Sequence, residues 1–400
     1  MIPGRQRQAG PRGAQRFAAR AGRRTVAITA ALAAAAANTL FVAGPAAASS
    51  GQVVIAASTY TGIDVARQAD GSPTWSVQQA GAGTYGSPAV AIASNGTIVV
   101  TAVDLAGTDR GTLYYFWEAA GSTTWHREQV SAIGAAALYV TPSIASQTTI
   151  QSGTPISLAI VDQDQNDSGS TLYLEAFGAP TWSSEAIPTA DGTATAPTVT
   201  EDANDTTVIT YGTADGFGFD RLVYNTTSDW ESIQDIDVGH SMSSMQAVDE
   251  VGGRIVASGT ENGILWFFYN ANGATNGWYG QDLGVGALDG SSMAVDTAAG
   301  NITLATYDPD DSSGECVYVY TQKNGSNSWS EQSRASCPGW IGPATVSIAA
   351  QPSGNLVMTL IASNQQVQFY WAPSGTGQWN DEDVSGIVDP GYDSAAIAAD

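Results

Sequence analysis

Residues 87–130 read SPAVAIASNGTIVVTAVDLAGTDRGTLYYFWEAAGSTTWHREQV, and turn residues break this stretch into four short apolar runs. The first, SPAVAIAS (87–94), ends at Asn95-Gly96, a pair suited to the left-handed backbone of a two-residue hairpin. TIVVTAVD (97–104) follows as the second and GTLYYFWEAA (111–120) as the third. A Gly-Ser turn then leads into a fourth run at Trp125. Runs of this length, rich in Val, Ile, Thr and aromatic residues and bounded by Gly, Asn and Ser, read as strands. The stretch predicts four antiparallel strands joined by short turns.

The same unit recurs outward in both directions. Trp75, Trp125, Trp182, Trp230, Trp278, Trp329 and Trp379 are spaced by 50, 57, 48, 48, 51 and 50 residues. Their contexts match: SPTWSVQQA, STTWHREQV, APTWSSEAI, TSDWESIQD, NGWYGQDL, NSWSEQSR and GQWNDEDV. Helical periodicity is absent after residue 48. Four strands per unit at a period near fifty is the mark of a propeller blade. The chain ends fix the count. Residues 52–80 supply only three strands, QVVIAAST, GIDVARQA and TWSVQQA, and the missing one is YDSAAIAAD (392–400). The sequence thus predicts an all-β, seven-bladed β-propeller over 49–400, with four antiparallel strands per blade. The C-terminal strand completes the N-terminal blade and closes the ring, which leaves no open edge between first and last blades.

Residues 1–48 are of another kind. They hold Arg5, Arg7, Arg12, Arg16, Arg20, Arg23 and Arg24 without any Asp or Glu, then an Ala-rich apolar run from Val26 to Ala37 and small residues at Ala46-Ala47-Ala48. This order of basic, apolar and small-residue regions predicts a secretory signal peptide. Arg23-Arg24 before the apolar run leaves the twin-arginine and general routes both open. A secreted, bacterial protein is expected. Without the leader the chain keeps seven basic residues against all 38 acidic ones, a formal charge of −31. Such a field repels phosphate backbones and anionic headgroups, so no nucleic acid and no membrane insertion are expected. A neutral ligand or a cation is favoured, and the chain is expected to act as a monomer. Cys316 and Cys337 suit no metal or redox spacing, and in an exported chain they predict a disulfide.

The turn before the first Trp, Ala69-Asp70-Gly71-Ser72-Pro73-Thr74-Trp75, resembles a worn Asp-box, the S-x-D-x-G-x-T-W hairpin of sialidase-like propellers. The resemblance lies in the Gly, Thr and Trp positions, and the leading Ser is missing. It implies a structural role for the Trp residues as inter-blade packing. A sialidase would also need three clustered arginines. Of Arg67, Arg110, Arg127, Arg221, Arg254 and Arg334, only Arg110 and Arg221 are expected near the ligand face, so sialidase activity is not expected.

That face carries the loops between second and third strands and the links to the next blade. Tyr392, Tyr85, Tyr139 and Trp340 precede the innermost strands of blades one, two, three and seven, neighbours in a closed ring. They form either an aromatic arc for sugar rings, with polar tips in water, or a plug for the axial mouth. Thr195, His240 and Asp289 come to the same place from other blades. The third-blade loop Asp162-Gln163-Asp164-Gln165-Asn166-Asp167-Ser168-Gly169 alternates oxygen side chains and ends in Gly. Asp162, Asp164, Asn166 and Asp167 are candidate calcium ligands; a solvated acidic turn is the alternative. Tyr173 stands at the twelfth loop position, where an EF-hand needs Glu.

Fold does not fix function. The leading expectation is a secreted, non-catalytic, carbohydrate-binding propeller using Tyr85, Tyr139, Trp340, Tyr392, His240 and Asp289. The alternative is a glycoside hydrolase or polysaccharide lyase, with His240 and Tyr85 or Tyr139 as base and acid. A third reading is an extracellular protein–protein scaffold.

Overall fold

In the computed structural model, seven four-stranded antiparallel sheets are arranged as blades. The structure describes residues 51–399 apart from short segments, the longest being 147–157, 337–345 and 385–393. Blade 2 runs from the centre outward through Ala89–Ile92, Ile98–Val103, Leu113–Glu118 and His126–Gln129, the four runs read above. Between the first two, Gly96 takes a φ of 79° and Asn95 Oδ1 accepts the Thr97 amide at 2.9 Å. Blades 3 to 7 cover residues 143–186, 195–237, 243–285, 291–336 and 347–383. Among the described residues the one helical piece is a 3-10 turn, Gly107–Asp109, in the second-to-third-strand loop of blade 2.

Blade 1 is assembled from both chain ends. Ser394–Ala399 is its innermost strand and pairs antiparallel with Gln52–Thr59, from Val53↔Ala399 to Ser58↔Ser394. Gly62–Ala69 and Ser76–Ala82 complete it. The innermost strands touch their neighbours all the way round, blade 7 on blade 1 and blade 1 on blade 2 included. The ring is closed by the C-terminal strand.

Seven buried clusters hold the blades together, one at each interface. The repeated Trp is part of this packing. Trp75 meets Phe369 of blade 7 at 5.0 Å between ring centres, Trp182 meets Tyr115 of blade 2 at 5.3 Å, and Trp329 meets Phe267 of blade 5 at 4.8 Å. All three are edge-on, the geometry that aligns the ring quadrupoles.

Two polar links repeat between blades. The indole of Trp75 donates to Glu382 Oε1 and that of Trp329 to Gln281 Oε1, both at 3.2 Å. Each acceptor lies three residues after the Trp of the preceding blade. That position is Gln78, Glu128, Glu185, Ile233, Gln281, Gln332 and Glu382 round the ring. Near the axis, Ser143 accepts the Val199 amide at 3.1 Å, Gln246 that of Met293 at 3.3 Å, Ser292 that of Ile348 at 3.0 Å and Ser347 that of Ile397 at 3.2 Å. These oxygens satisfy amides that the innermost strands would otherwise leave unpaired.

Candidate functional site

The expected arc at the axial mouth is described at one of its four rings. Tyr85 is 3% exposed and belongs to the core between blades 1 and 2. Its ring stands edge-on to Phe116 and Tyr114, and its hydroxyl donates to the Ala82 carbonyl at 3.3 Å. A ring held this way has no free face for a sugar, so Tyr85 packs and does not serve as a platform. Tyr139, Trp340, Tyr392, His240 and Asp289 lie outside the described residues, as do Asp70, Gly71, Cys337 and the leader 1–48. Thr195 opens the innermost strand of blade 4, opposite Gly212. Arg221 sits near the far end of its strand, paired with Val208 and Ser232, away from the loop face where it was expected.

In the blade 3 loop, Asp162 is 2% exposed and one of its oxygens has no hydrogen-bond partner. Burial raises its carboxyl well above the usual range, and the nearby Asp164 charge adds to the rise. Asp164 accepts the Thr171 hydroxyl at 2.9 Å. Asn166 and Asp167 lie outside the described residues, and among the described ones no three acidic, Cys or His groups gather round one point.

Arg127 was not expected near the loop face, yet its side chain reaches it. The guanidinium lies 3.6 Å from the Tyr114 ring centre and 3.9 Å from Asp109, which also accepts the Tyr114 hydroxyl at 2.9 Å. The length of an arginine side chain hides such a contact from a strand-by-strand reading. The group braces the 3-10 turn of blade 2 against its own sheet.

A cleft opens on the opposite face, at the third-to-fourth-strand turn of blade 1. It holds about 430 Å³ and is lined by Gln52, Arg67, Ala69, Ser72, Thr74, Trp75 and Ser76. The turn is set by a hydroxyl three residues before the Trp. Ser72 Oγ accepts the Thr74 amide at 3.2 Å, and Ser122, Ser326 and Thr376 hold the same bond before Trp125, Trp329 and Trp379. This is a Ser/Thr turn, in which the side chain replaces a backbone acceptor. Hydroxyls at this position are legible in the sequence in six of seven blades, with Ala179 the exception.

The cleft wall contains a cross-strand pair, Arg67 and Ser76. Residues directly opposite on antiparallel strands share a face. The equivalent pairs are Trp117 with His126 in blade 2, Leu174 with Ser183 in blade 3, Tyr269 with Tyr279 in blade 5, Thr321 with Ser330 in blade 6 and Trp371 with Asn380 in blade 7. Tyr279 is 54% and Trp371 37% exposed, among the few large apolar side chains to face solvent in the described chain. Tyr269 and Tyr279 stack at 5.6 Å and 25°, and Trp117 and His126 at 4.1 Å and 18°. One rim position therefore carries aromatic surface in blades 2, 5 and 7 and a guanidinium in blade 1.

No protein-family model matches the chain, and no curated protein does. Solved structures match its fold. The BP39L lectin from Burkholderia pseudomallei superposes with a TM-score of 0.64 at 14% identity, covering 86% of this chain and 96% of that one. A putative 6-phosphogluconolactonase from Bacteroides uniformis gives 0.55 at 11%, over 86% and 99%. The six-bladed lectin of the fungus Aleuria aurantia, described with a fucose recognition mode, gives 0.50 at 14%, over 85% and 97%. At these identities the chain is similar to them as a β-propeller.

Proposed function

We propose that this chain is a secreted, carbohydrate-binding propeller that takes sugars at its outer rim, on the face of the third-to-fourth-strand turns. The observation that carries the reading is the repeat of one rim position. There the cleft beside Trp75 and the exposed rings of Tyr279 and Trp371 fall at equivalent places in their blades. A flat ring covers the C–H face of a sugar, while the hydroxyls, amides and guanidinium beside it bond the sugar hydroxyls. The lectins among the structural matches agree with this reading through fold alone. The basic, apolar and small-residue order of the leader supports export. Calcium at the Asp162–Asp167 loop belongs to the proposal as a separate arm.

A glycan array with residues 49–400, run with calcium and with chelator, tests it. Ser76→Phe fills the blade 1 cleft from an exposed position, and Tyr279→Ala removes a rim ring. Binding that weakens in both variants supports the rim; binding lost only in Trp340→Ala returns the site to the axial mouth. Chelator sensitivity implicates the blade 3 loop. The absence of any sugar binding would sink the proposal and leave protein partners and turnover of glycans to be measured.

A further inference from the structure

The guanidinium in the cleft wall is already spoken for. Arg67 forms an ion pair with Glu118 of the neighbouring blade, and Glu118 is 1% exposed. Arg67 Nη2 also donates to Gln78 Oε1 at 3.0 Å, and the Trp125 ring lies over the guanidinium at 5.5 Å. A free arginine in a cleft is a carboxylate receptor, because its fork matches two carboxylate oxygens. Here a sealed carboxylate has taken that role, so a ligand meets a neutral pair and not a bare cation. Among the described residues the cleft lining supplies no other cation, and the mature chain's charge of −31 opposes any incoming anion. Hydroxyl groups carry no such penalty, and the Ser and Thr side chains of the lining suit them.

From this geometry we infer that Glu118 sets the charge selectivity of the blade 1 cleft, which takes neutral sugars and rejects uronates and other carboxylated sugars. The inference rests on the rim reading above and adds the class of ligand. Glu118 acts through Arg67 and touches no ligand itself.

The test is a titration of residues 49–400, followed by NMR, with a neutral methyl hexoside and the matching methyl hexuronide. The wild type should bind the hexoside about tenfold more tightly, the size of one charge-assisted hydrogen bond, and added salt should leave that affinity unchanged. Glu118→Gln keeps the shape and releases the Arg67 charge. It should tighten hexuronide binding about tenfold while leaving the hexoside alone, and Arg67→Gln added to it should abolish the gain. A folded Glu118→Gln protein with an unchanged ratio overturns the inference and leaves the rim reading standing. Should that variant not fold, the wild type decides, since tight and salt-sensitive hexuronide binding overturns the inference. Binding of neither sugar at the cleft overturns both.

Discussion

At the scale of single residues, Trp75 and Trp329 each join two functions, a ring edge against the preceding blade and an N–H bonded to an acceptor there. The two can be separated at Trp75. Trp75→Phe keeps a ring beside Phe369 and loses the bond to Glu382, for an expected cost of about 1 kcal/mol. Trp75→Ala loses both, for about 3 kcal/mol, read as shifts in the urea midpoint. Equal costs would show that packing contributes little. A second residue prediction concerns pH. Burial, followed by the charge of Glu128, pushes the Glu175 carboxyl up to about 7 from its ordinary 4.5. The folded chain then holds a proton that the unfolded chain releases. This contribution is fully present below about pH 4.5 and is lost as pH rises through about 7. Thermal melts from about pH 5 to about pH 8 should show the wild type losing stability relative to Glu175→Gln; parallel curves would exclude the effect.

At the scale of elements, strand positions were legible because period-two patterning and turn residues agree along most of the chain. The four strands read in residues 87–130 lie where the sequence puts them, shorter by one or two residues at their ends. Side-chain destinations were less legible. From its place before a strand, Tyr85 reads as part of an aromatic arc or of a plug at the axial mouth. The chain turns it inward, because Asp104 bridges to its backbone and Phe116 offers a ring edge. The rim position was missed because it emerges only when the residue after each Trp is set beside its cross-strand partner. The axial links were missed because Ser143, Ser292 and Ser347 read as ordinary small residues. Ser347→Ala tests one of these links. It leaves the Ile397 amide of the closing strand without its acceptor and should cost about 1–2 kcal/mol, measured by denaturant unfolding. A cost near zero would mean that water replaces the hydroxyl.

For the whole molecule, closure depends on nine residues at the C-terminus. Ending the chain at residue 391 removes the innermost strand of blade 1 and bares the edge of Gln52–Thr59 and the apolar side chains around Ile397. An exposed apolar edge pairs with other chains. The truncated protein is therefore expected to melt earlier than the full chain and to elute as larger aggregates than it does in size-exclusion chromatography. A truncated chain that melts as the full one does would show that closure is dispensable. The blade 1 cleft depends on the same ring, since it is framed by blade 1 and its Arg67 is braced by Glu118 of blade 2. The most direct measurement of the account is a crystal structure of residues 49–400 with the strongest ligand from the glycan array. Sugar density beside Trp75, Tyr279 or Trp371 on the turn face is the expected result. Density confined to the axial mouth on the opposite face, with those rim positions empty, would contradict it.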